Sequence, residues 1–175
     1  MATHIPTTPL RGSGRFPAHP SPSHVMIGFG QVLAAAQDLI VAEADLVGNF
    51  GHDPAFDSWF TEASRARSLV LDMIGAVLDL AIVEPGDENL MRVLRLFRRV
   101  IVSDNAEEIG HLRFVIEKLP AVFFALGVEG IDGAVNRLVL QGLDSIEQYL
   151  NLEEMKAKAA AAARVDDDVD MMPMF

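Results

Sequence analysis

Few residues in this chain have both the type and the spacing for chemistry. Glu107, Glu108 and His111 form the one group with metal-ligand spacing, and Glu108 with His111 makes a Glu-x-x-His pair. On a helix that pair projects two ligands from one face, as in carboxylate-bridged di-iron bundles, which need it twice together with two further inward glutamates. His111 is the only histidine inside the expected helical body, so half of such a centre is missing. Glu107 is better employed with Asp104 as a capping box. An incomplete ligand set predicts no metal and no other cofactor.

Asp72 and Asp79 are the next candidates, two carboxylates on the most apolar stretch of the chain. Paired carboxylates do acid–base work when burial drives their proton affinities apart. Seven residues along a helix place their Cα atoms about 10 Å apart, too far for a tight dyad. They are expected to mark a solvent-facing edge or to pair with arginines of another helix, since buried charges survive when paired.

Those arginines are Arg92, Arg95, Arg98 and Arg99, four of the fourteen Lys and Arg, in a chain of net charge −11. Arg92, Arg95 and Arg99 share a helix face. Three uses stay open: a solvated face with a local Glu88–Arg92 pair, a dock for an acidic surface on the same or a neighbouring chain, or a phosphate or nucleic-acid patch. Strong net negative charge argues against broad binding to nucleic acid or anionic membrane, so nucleic acid enters only through this local patch.

The end of the chain supplies a matching acidic surface. Asp166, Asp167, Asp168 and Asp170 precede Met171-Met172-Pro173-Met174-Phe175. Over residues 166–175 this run resembles the acidic tip of bacterial single-stranded DNA-binding proteins. The resemblance implies a short peptide that docks in a basic-rimmed apolar pocket of a partner, with Met172 and Phe175 in its apolar end. Met174 separates Pro173 from Phe175, where that family ends Pro-Phe, and the body shows no sign of the family's β-barrel, so no DNA-binding role carries over. An ordinary solubilising acidic tail is the simpler use of the same residues.

No glycine-rich phosphate loop, Gly-x-Ser-x-Gly turn or His-Glu-x-x-His is present. With no cysteine there is no thiol chemistry, disulfide or cysteine-ligated metal. Enzymatic activity is not expected.

The elements that position these residues are all helical. The stretch from Phe56 to Val83 is organising: proline-free and bracketed by Pro54 and Pro85, it carries Phe56, Trp59, Ala63, Ala66, Val70, Met73, Val77 and Leu80 at spacings of three and four. A helix over about 54–83, capped by Asp53, is predicted, with Val70, Met73, Val77 and Leu80 buried in the centre of a bundle. Before it, residues 25–50 show a helical stripe of Phe29, Leu33, Ala36, Ile40 and Val47. After the Glu84-Pro85-Gly86-Asp87 break, Leu90, Leu94, Phe97 and Ile101 face inward, then Ile109, Leu112, Ile116 and Leu119 on a helix ended by Pro120. Residues 121–126 read as an apolar plug. A last helix from Ala134 turns Val135, Leu138, Gly142, Ile146 and Tyr149 inward.

The predicted fold is an all-α single-domain bundle of five to six helices over residues 25–152. Residues 1–24 hold five of the nine prolines and no acidic residue, and are expected to form a flexible arm or a strap anchored by Phe16 on a neighbour. Residues 153–164, nearly all Ala, Glu and Lys, extend the last helix outward, and 165–175 form the acidic tail with its hydrophobic tip. A hydrophobic share of 50% is rich for a soluble chain, so part of the surface is expected to be covered by another subunit. No run reaches the ~18 apolar residues of a membrane span, and a cytoplasmic protein without membrane contact is the default. The expected role is a non-enzymatic assembly or interaction protein that self-associates through its terminal arms. The alternative is an adaptor that recruits a macromolecule through the acidic tail or the arginine face, with nucleic-acid metabolism as one setting.

Overall fold

The computed structural model describes residues 21–47, 56–127 and 130–170, with side chains described as far as Lys158. The protein is all-α: five helices and one 3-10 turn, with no strand among the described residues. Phe16, Met172 and Phe175, and the expected Asp53 cap, lie outside the described residues.

Helix α1, His24–Ala44, starts where Ser23 Oγ accepts the Met26 amide at 3.1 Å, satisfying one of the free donors of the first turn. Val25, Phe29, Val32, Ala36 and Leu39 recur at four-three spacing and are all buried. Helix α2, Asp57–Leu78, packs against α1 and α3 and forms one side of the bundle. Its buried line is Ala63, Val70, Ile74 and Val77, while Met73 is half-buried and Leu80 is exposed.

The helix ends five residues short of the expected Val83, for a reason that lies beyond it. Asp87, fully buried, accepts the Val83 and Glu84 amides at 3.1 and 3.0 Å on one carboxylate oxygen. Those donors are therefore taken by α3 and not by the preceding turn of α2. Pro85 disfavours helical geometry at Glu84 as well.

Helix α3, Pro85–Val102, opens with Pro at its first position and buries Leu90, Leu94, Phe97 and Ile101 as expected. It contacts α1, α2, α4, α5 and the 3-10 turn, which makes it the most enclosed helix. Helix α4, Ala106–Lys118, is capped by Asn105 and not by Asp104: Asn105 Oδ1 accepts the Glu107 amide at 2.9 Å and the Glu108 amide at 3.4 Å. Leu112 is its one fully buried residue; Leu119, expected inside, is exposed. The 3-10 turn, Pro120–Phe123, plugs the core with Phe123.

Helix α5, Gly130–Asp170, begins four residues before Ala134. Asn136 on its second turn holds the incoming loop, accepting the Ala125 amide at 2.8 Å and donating to the Ala125 and Gly127 carbonyls at 3.3 and 2.8 Å. Val135, Gly142, Ile146 and Tyr149 are buried. A Cβ on Gly142 would fall 2.8 Å from both Phe29 Cζ and Val93 Cγ1, so glycine is what lets α1, α3 and α5 meet. Leu152 is the last buried residue described, yet the backbone continues as one helix through the positions of Asp166, Asp167, Asp168 and Asp170. The expected extension and the first part of the acidic run thus belong to the same helix.

Contacts fix the directions. Gly28 packs on Val77, so the start of α1 meets the end of α2; Gly86 packs on Val135 and Gly142 on Val93, so α3 and α5 run side by side in one direction. The starts of α1, α3 and α5, the end of α2 and the 3-10 turn share one end of the bundle, called the upper end below.

Candidate interaction surface

The lower end is held by a charged cluster. Glu43 continues the buried line of α1 and is itself buried, 2% exposed. Arg67 of α2 donates to Glu43 Oε1 through Nε at 3.2 Å and through its terminal nitrogen at 2.7 Å. Lys156 of α5 donates to Glu43 Oε2 and, at 3.0 Å, to Glu153. Burial alone would raise the Glu43 carboxyl, but the hydrogen bonds and charges of Lys156 and Arg67 outweigh it and hold the group below its ordinary value. Beside it Tyr149 stacks edge-on to Phe97, ring centres 6.4 Å apart, and burial followed by the Glu153 carboxylate pushes its phenol upward. The cluster ties three helices together with Glu43 itself enclosed, so it contributes cohesion.

The four arginines of α3 divide by task. Arg92 donates to the Val122 carbonyl at 3.2 Å and, with Asn89 donating to the Phe123 carbonyl at 2.9 Å, holds the 3-10 turn on α3. Arg92 and Arg95 both approach Glu88, at 3.5 and 3.0 Å. Arg99 donates to Glu108 Oε1 at 2.5 Å, and Ser103 donates to Oε2 at 2.9 Å. Both oxygens of the Glu-x-x-His glutamate therefore serve the α3–α4 corner, and its carboxyl lies below the ordinary value because of Arg99 first and Ser103 second. His111 is exposed, and no cluster of three metal-ligating residues occurs among the described residues. Arg98 has no ion-pair partner among the described residues. Asp72, on the polar edge of α2, and Asp79, just past its end, are both exposed, and neither forms an ion pair with the α3 arginines.

The upper end has a different character. Its backbone is well tied: Ser23 Oγ donates to Asp87 Oδ1 at 2.5 Å, Asp87 holds the α2–α3 connection, and Asn89 and Asn136 hold the 3-10 turn and the loop beyond it. Its side chains are not covered. Of fifteen exposed large apolar residues described, seven lie here: Ile27, Leu80, Ile82, Val83, Leu119, Val122 and Leu126. Trp59 and Phe60, adjacent on α2, are exposed as well, but the upper end holds the largest share of exposed apolar side chains among the described residues. Between α3, the 3-10 turn and the start of α5 an open hollow of about 580 Å³ is lined by Pro85, Asn89, Arg92, Val122, Phe124 and Leu126, among others. Leu126 is fully exposed at its edge.

No sequence signal located this surface, because it is assembled from five separate segments. Glu43 did leave one: 25, 29, 32, 36, 39 and 43 continue the same four-three spacing.

Helix α1 is the one described helix long and apolar enough to cross a membrane. In this fold its apolar face is spent on α2, α3 and α5, and it carries Glu43 inside the charged cluster.

Compared with known protein families, with curated proteins and with solved structures, the chain matches none.

Proposed function

We propose that this chain is a non-enzymatic assembly or interaction protein that self-associates. The observation that carries the reading is the upper end: seven exposed apolar side chains, two of them (Val122 and Leu126) lining an open hollow, on a backbone tied by Asp87, Asn89 and Asn136. Rigid, apolar and uncovered surface favours association, because burying it releases water at no cost in ordering the backbone. The internally satisfied charges add to this, since Glu43, Arg67 and Lys156 join three helices and Arg99 joins α3 to α4 through Glu108. Size-exclusion chromatography with light scattering tests the reading. The expected mass is a small multiple of the 19.0 kDa chain, and a monomer at every concentration contradicts it.

A second reading has its own support. The α5 backbone carries Asp166, Asp167, Asp168 and Asp170 up to about 27 Å past Leu152, and Arg98 has no ion pair among the described residues. Both features suit an adaptor that recruits another macromolecule by its acidic end or arginine face. Deleting residues 171–175 separates the readings: loss of a heterologous partner with self-association intact supports the adaptor, and unchanged partners exclude the tail from that role.

A further inference from the structure

Resting on the self-association reading, we infer that two copies of this chain join by their upper ends about a twofold axis, with Leu126 of each seated in the hollow of the other. A twofold contact needs a patch that complements itself. This one does so in shape. Leu126 is fully exposed at the hollow's edge, and Asn136 pins the residues on either side of it, bonding both backbone groups of Ala125 and the Gly127 carbonyl. The loop therefore presents a fixed apolar knob beside an open hole of about 580 Å³, whose apolar wall includes Val122 and Phe124. A knob already held in place costs little ordering when it docks. An axis lying between knob and hole carries each Leu126 onto the other copy's hollow.

The patch complements itself in charge as well. The described lining of the hollow holds one cation and one carboxylate, Arg92 and Asp132. Arg92 reaches the Val122 carbonyl and approaches Glu88, yet its side chain stays 49% exposed. Asp132 is half-buried and has no hydrogen bond or ion pair among the described residues. A twofold contact can set Arg92 of each copy against Asp132 of the other. This balance selects the occupant. Two chains of net charge −11 repel each other over most of their surface, and a lining whose charges cancel lets them meet without that penalty. A strongly basic or acidic partner gains little net attraction from the same lining. The contact is reciprocal and uses knob and hole of both copies, so it closes at the dimer.

Exchanging charge between copies tests the contact. Arg92→Glu and Asp132→Arg are purified separately and run alone and mixed in the analytical ultracentrifuge, with thermal unfolding fixing the folded fraction of each. Alone, each variant sets like charges against one another twice, and its dimer dissociation constant should rise about tenfold or more. In the mixture both pairs are opposite in sign again, and the heterodimer should return to within about threefold of the wild-type constant. Leu126→Ala, which alters no charge and lies outside the packed core, should weaken the dimer by about tenfold. A mixture no tighter than its components overturns this contact, whether Arg92→Glu acts only by loosening the 3-10 turn or the hollow holds another segment or another protein. So does a Leu126→Ala variant that dimerises as wild type does. In both cases a self-associating wild type leaves the assembly reading standing. A monomeric wild type overturns both.

Discussion

The two ends of the bundle solve opposite problems. At the lower end a carboxylate that no helix would bury alone is enclosed by Arg67 and Lys156, so polar groups are consumed in joining α1, α2 and α5. At the upper end polar groups fix the backbone, through Asp87, Asn89 and Asn136, while Ile82, Val83 and Leu126 stay in water. The first arrangement stabilises one chain. The second fixes the loops of one chain but leaves apolar side chains exposed. The charged clusters of this molecule serve cohesion, and under the proposed self-association the uncovered apolar surface is where copies meet.

That contrast is open to attack by substitution. The largest effect is expected at Glu43. Glu43→Ala strands Arg67 and Lys156 and should cost about 3 kcal/mol in urea unfolding, at the low end for breaking a buried pair because both cations are partly solvated. Association should be unaffected after correction for the folded fraction. A loss below about 0.5 kcal/mol, the level of an ordinary surface change, would show the cluster to be ornamental.

Asp87→Ala comes next. It removes the acceptor for two backbone amides and the Ser23 hydroxyl, with an expected loss of about 2 kcal/mol, measured by the same unfolding curves. Because it loosens the upper backbone, it should also weaken association, which Glu43→Ala should not.

Acid provides a third, smaller test. The folded-state Glu43 carboxyl lies below its ordinary 4.5, so the folded chain binds this proton less readily than the unfolded one. Its contribution is complete above about pH 4.5 and is lost as pH falls through the lowered value. Urea midpoints should decline over that acid window in wild type and decline less steeply in Glu43→Gln. Equal slopes would remove Glu43 from the account of acid sensitivity. Smallest of all is Arg98→Ala, expected within about 0.5 kcal/mol of wild type in thermal unfolding, because no ion pair among the described residues is lost.

Much of the fold was legible because helical periodicity and its punctuation are local. The stripes on α3 and α5 and the break at Glu84-Pro85-Gly86-Asp87 follow from spacing alone, and the structure places Leu90, Leu94, Phe97, Ile101, Val135, Ile146 and Tyr149 inside. What was not legible depends on distant partners. The seam of α2 runs on to Leu80 in sequence, yet the helix stops at Leu78 because Asp87 captures the Val83 and Glu84 amides. Asp104 and Asn105 are equivalent as caps by residue type, and the structure has Asn105 accepting the Glu107 and Glu108 amides. Glu43 sat in line with a buried stripe, but its cations lie 24 and 113 residues away. The four arginines looked like one patch; tertiary contacts assign Arg92 to the 3-10 turn, Arg99 to α4 and Arg95 to Glu88. The upper surface is a property of topology, and no window of sequence contains it.

Sedimentation velocity on wild type and on the Val83→Asp/Leu126→Asp variant tests the central claim most directly. Both residues are exposed, so the variant should melt with the wild type once the effect of association is subtracted. The account predicts that wild type sediments above the monomer and the variant as a monomer. A variant that associates as wild type does would contradict the assignment of the upper end as the assembly surface.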